Sequence, residues 1–166
     1  RTKLKPRRPG PSTHPKHHDI AVFDHWNAHA VFFWDPADNL LEYIARHDLD
    51  NAAPGPFTSK DILYASEISL MADDVPAMGK TLGAELGLPA YAGVNPGFHP
   101  LGDEHGLLIV FPTGRHWRKA DETSRPARVF PTEVTIRSSI DGVHEVPGHP
   151  WRVARQREGS ASGRGS

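Results

Sequence analysis

An α+β domain built from strand-rich modules is the class this sequence predicts, and three observations predict it. Short apolar runs rich in strand formers recur along the chain, as DIAVF (19–23), AHAVFFW (28–34), LLEYIAR (40–46) and GLLIVFPT (106–113). The 16 prolines and 15 glycines interrupt the chain too often for long helices. One stretch, DDVPAMGKTLGAELGL (73–88), carries helical spacing instead.

The chain has 166 residues, 37% of them hydrophobic and 23% charged, enough for one ordinary domain or two small modules. Net charge is −1 and the pI is about 6.9, so no general field draws nucleic acid or an anionic membrane. The absence of cysteine excludes disulfides, zinc–thiolate centres and thiol nucleophiles. No apolar run approaches the length of a transmembrane helix, and the basic N-terminus lacks the apolar segment of a secretory signal. A cytoplasmic location is the expectation. Because the chain opens on Arg1 rather than Met, residues upstream are expected to be absent.

Residues 1–18 are basic and Pro-rich and read as a disordered arm; 156–166 read as a disordered tail. Between them, 19–49 form a first unit, in which AHAVFFW and LLEYIAR make a hairpin over the turn DPADN (35–39). Residues 50–60, with Pro54, Gly55 and Pro56, are a linker. A second unit spans 61–155. It starts with a strand over 62–72 and continues into a helix. Asp73 or Asp74 caps that helix, Pro76 fits its first turn, and Gly87 ends it. Val75, Met78, Leu82 and Leu86 share one face of it. Short strands at PAYAGV, GFHPLGD and GLLIVFPT follow, and further strand-like pieces at 127–136 and 149–155 extend the unit. The second unit thus reads strand, helix, strand, strand, strand, and the first reads as the last strands of the same pattern, incomplete at its N-terminus.

VFFWDPADNLLEYIARHDL resembles the closing hairpin of a module in the vicinal oxygen chelate superfamily, the glyoxalase, bleomycin-resistance and extradiol-dioxygenase group. Phe33, Asp35, Pro36, Asn39 and Glu42 stand at the positions of that group's F-x-D-P-x-G-N-x-x-E motif. Asp38 replaces the usual glycine, and Asp enters the left-handed region at modest cost. SEISLMADDVPAM and FHPLGDEHGLLIVFPTGRHW resemble the first strand and helix start, and the third and fourth strands, of a second module.

The resemblance implies paired βαβββ modules forming a curved, half-open mixed sheet around a cleft. It implies a divalent metal (Mn, Fe, Ni or Zn) acting as Lewis acid on a substrate, in a lyase, isomerase or ring-cleaving dioxygenase. It equally implies a non-catalytic, metal-free binding protein of the bleomycin-resistance kind. Glu42 matches the ligand glutamate of a last strand; Glu67 falls where a first strand brings histidine; Ile109, at the second last-strand position, cannot bind metal. Alternation does not decide whether Glu42 faces cleft or solvent, since Leu40, Glu42, Ile44 and Arg46 share one face and Leu41, Tyr43 and Ala45 the other. His29 and His99 are candidate ligand-contacting residues on strands. Arg115 and Trp117 are candidates for gripping a carboxylate or stacking on an aromatic ligand. The expected partners are a small molecule and a second copy of the chain, since an incomplete module leaves a sheet edge and an apolar face uncovered.

Overall fold

The computed structural model describes residues 20–118 and 124–157. The first three strands form one antiparallel sheet in the order β1–β2–β3: β1 (Ile20–Phe23), β2 (Ala28–Trp34) and β3 (Leu40–Arg46). The DPADN turn closes the hairpin through Asp35, whose carboxylate accepts hydrogen bonds from the backbone N–H groups of Ala37 and Asn39 and from the Asn39 side chain. The Asn39 bonds hold the Asp35 carboxyl below its ordinary pKa. Asp38 takes the left-handed conformation (φ 64°), as the sequence suggested.

The second unit opens with β4 (Glu67–Ala72), shorter than the expected strand over 62–72. Ile62, Leu63 and Tyr64 lie exposed before it, for no strand among the described residues takes up their backbone groups. Helix α1 (Val75–Leu86) begins where Asp74 accepts from Ala77 N–H, and ends at Gly87 in the left-handed region. Val75, Leu82 and Leu86 are buried as the spacing requires. β5 (His99–Asp103) and β6 (Gly106–Pro112) complete a sheet in the order β4–β6–β5, with β4 and β6 parallel. The strand expected in PAYAGV is reduced to a single bridge, Ala90 to Leu101. With that bridge counted, the unit keeps the strand–helix–strand–strand–strand order.

β7 (His116–Arg118) and β8 (Ser124–Pro126) pair in a two-stranded ribbon. β9 (Thr132–Ser138), β10 (Gly142–Glu145) and β11 (Trp151–Arg157) form a third sheet, with β11 central and parallel to β9. The C-terminal strands therefore make a sheet of their own beside the second unit.

Two cores result, one on each face of the β4–β6–β5 sheet. Leu70, Leu82, Leu101, Leu108 and Val110 pack between that sheet and α1, joined by Trp151 and Val153 of β11. On the opposite face Met71, Leu107, Ile109 and Phe111 meet Trp26, Phe98 and Trp117. Because β6 is covered on both sides, its sequence is continuously apolar rather than alternating. The 3₁₀ turn at Asp24–Trp26 places Trp26 as the join between units: its indole N–H donates to the Ala92 carbonyl at 3.0 Å.

Candidate functional site

The register of the first hairpin answers the question that alternation left open. Phe32 faces Glu42, Ala30 faces Ile44 and Ala28 faces Arg46, and these residues point towards the second unit. Val31, Leu41 and Tyr43 point outward and are exposed. Glu42 therefore faces the cleft between the first sheet and the inner face of β4 and β6. The cleft walls include Phe23, Trp26, Phe32, Ile109, Phe111 and Trp117. The open volume is about 2250 Å3 and runs over the free edge of β3 towards the linker around Phe57. This exceeds the roughly 300–1,000 Å3 of an ordinary ligand pocket, so the cleft is an open cup.

Three ionisable groups meet on its floor. Arg46, at the end of β3, is buried, with 3% of its side chain exposed, and its Nη2 donates to Glu67 Oε1 at the start of β4. Its guanidinium lies 5.2 Å from the Trp26 ring centroid. Arg46 Nε and Nη1 are buried without a hydrogen-bond partner among the described residues. Glu42 shares a side-chain hydrogen bond with Glu67. Burial first, then the Glu67 charge and that hydrogen bond, push the Glu42 carboxyl up to about 8, against the pull of Arg46. A carboxyl held that far up favours its protonated form at neutral pH and can donate a hydrogen bond to Glu67, whose other partner is Arg46.

This set does not fit a divalent metal. Only two carboxyls converge, and a guanidinium already pairs with one of them. Ile109, on the cleft wall, offers no donor atom. Among the described residues no group of three or more His, Asp or Glu side chains is placed to hold an ion.

The other candidates separate. Arg115 lies at the cleft rim with its guanidinium 4.3 Å from the Phe111 ring centroid and 4.9 Å from that of Trp117. Both named members of that pair thus sit together on the cleft. His99 faces the other way. On β5, opposite Val110 of β6, it packs against Gly79 of α1, where a Cβ would collide with its ring. His29 is exposed on the outer face of β2, away from Glu42. Arg46 was missed as a site residue although the alternation put it on the Glu42 face; its partner, 21 residues away on β4, gave no local signal.

No known family profile matches the chain, and neither does any curated protein. Among solved structures, a protein from the mobile metagenome of V. Pseudocholerae is similar at 12% identity and a TM-score of 0.42, covering 58% of this chain and 95% of its own. Lactoylglutathione lyase from Agrobacterium tumefaciens is similar at 14% identity and a TM-score of 0.38, covering 55% and 92%. At scores this low, neither likeness carries an argument about function.

Proposed function

We propose that the chain is a small-molecule-binding protein that uses its aromatic cleft without a metal. The observation that supports this is the Glu42–Glu67–Arg46 set on an otherwise apolar floor: one neutral acid, one carboxylate, one guanidinium. Such a group orients a ligand by hydrogen bonds, while Trp26, Phe111 and Trp117 supply contact area. The ligand class that fits is a small aromatic or apolar compound carrying a basic or hydrogen-bonding group to meet Glu42. A second copy of the chain covers the part of the outer face of the first sheet around Ile20, Val31, Leu41 and Tyr43, short of its His29 end.

The test is a thermal-shift and calorimetric screen of the purified protein against bleomycin, catechols and dicarbonyls, beside a Glu42→Leu variant. Binding of one class, lost at least tenfold in the variant and without turnover, bears the proposal out. Near-stoichiometric manganese, iron, nickel or zinc in the protein, absent from Glu42→Ala, overturns it in favour of a metalloenzyme. One observation favours a metal-independent isomerase or lyase as a second reading. A protonated carboxyl beside a carboxylate in a cleft is equipped to give and take a proton. Turnover of a dicarbonyl that Glu42→Gln abolishes decides for it.

A further inference from the structure

The outer face of the first sheet carries a histidine pair on the side opposite Glu42. His29 on β2 and His47, just past the end of β3, are diagonal neighbours: His29 pairs with Ala45, and the His47 N–H continues the ladder to the Asn27 carbonyl at 2.9 Å. Their rings stand 4.8 Å apart, edge to face, with His29 Nδ1 and His47 Nε2 separated by 2.6 Å. Both side chains are exposed. Asp48, next along the chain, accepts from the Asn27 side chain at 2.7 Å and adds a negative charge at the same end of the sheet.

Two exposed imidazoles gain little from a mutual hydrogen bond that water can replace. Their lone pairs nevertheless converge, and the hydrogen-bonded strands hold them so at little further cost in entropy. Two imidazole nitrogens bound to one tetrahedral ion at about 2.0–2.1 Å stand about 3.3 Å apart, so the rings need open by less than about 1 Å. Imidazole donors suit late first-row divalent ions. From this geometry we propose that His29 and His47 form a surface chelate for zinc or copper(II), with water completing the shell. The pair lies on the sheet face opposite Glu42, with His47 at the edge of the cleft.

The test is calorimetric titration of the full chain with Zn(II) alone and Cu(II) alone, on the parent, His29→Ala, His47→Ala and a His14→Ala/His17→Ala/His18→Ala triple variant. The triple variant removes the other histidine group, HPKHH at 14–18. The expected result is a first equivalent bound at least tenfold more weakly in each single variant, and unchanged in the triple variant. Nitrogen hyperfine structure from two imidazoles in the Cu(II) spectrum of the parent, reduced to one in His29→Ala, gives the same answer at the level of the ligands. Unchanged affinity in both single variants, or loss confined to the triple variant, overturns the proposal. Circular dichroism of the metal-free single variants is expected to match the parent, because both residues are exposed.

Discussion

The sheet β1–β2–β3 and the sheet β4–β6–β5 have similar strands and opposite surroundings. In the second, α1 covers one face and the cleft core covers the other, and Leu107 to Phe111 are buried without a break. In the first, only the cleft face is packed among the described residues. Val22 is 58% exposed and Tyr43 46% exposed on the other side. The helix makes the difference. Where a helix lies on a strand pair, each residue has a partner layer; where none does, every second residue meets water. The stability of the molecule should therefore reside in the second unit, and its capacity for new contacts in the first.

The strongest way to break this division is at the join. Arg46→Ala leaves half-buried Glu67 beside Glu42 without its cation and removes the contact with Trp26. The expected loss is about 3–5 kcal/mol, read as a fall in the urea midpoint. Adding Glu67→Gln to Arg46→Ala should recover part of that loss, because the stranded charge goes with it.

Next comes a matched pair of truncations. Leu82 in α1 is fully buried, whereas Leu41 on β3 is 43% exposed. Leu82→Ala should cost about 2–5 kcal/mol and Leu41→Ala under about 1 kcal/mol, by chemical denaturation of each variant. Equal losses would mean that the outer face of the first sheet is covered in solution.

The two units also respond to pH in opposite directions. Burial lowers the His99 pKa from 6.5, with Lys80 adding to the shift. The unfolded chain then binds the proton first, so the His99 contribution is present above about pH 6.5 and is lost as pH falls below it. Glu42 is raised from 4.5 to about 8, so the folded state holds its proton more tightly. Its contribution is present below about pH 4.5 and is lost as pH rises towards 8. Glu42→Gln should thus raise Tm at pH 8 by roughly 2–4 °C and change it little at pH 4.5. His99→Gln should flatten the acid limb alone. Thermal unfolding of both variants between pH 4.5 and 8.5 tests the two signs independently.

What the sequence made legible follows the same division. The DPADN hairpin and the Asp74-to-Gly87 helix were readable because their signals are local: turn residues, a cap and a 3.6-residue period. The cleft pair Glu42 and Glu67 was reachable through positions in a resembled motif. The faces of His29 and His99 were not, since one residue of register sends a strand side chain to the opposite side. The strand expected over 62–66 failed because strand propensity cannot supply a pairing partner. The sheet formed by β9 to β11 was only glimpsed as fragments, because β9 pairs with a strand from beyond β10.

The smallest expected effect on stability sharpens the comparison most. Tyr43 stands on the outer face, its ring against Phe33 and Phe57 at centroid distances of 4.8 and 5.6 Å. Tyr43→Lys keeps the long apolar stem along that surface and puts a charge at its tip. In an isolated chain the cost should stay within about 1 kcal/mol, because the site is half open to water. If a second copy packs there, the same charge is buried without a partner at the interface, which association tolerates poorly. Sedimentation across a concentration series should then show a dimer for the parent and a monomer for Tyr43→Lys, with Tm at low concentration nearly unchanged. A parent that sediments as a monomer at every concentration would leave the outer face bare. The first sheet would then be a wall that only the cleft side needs.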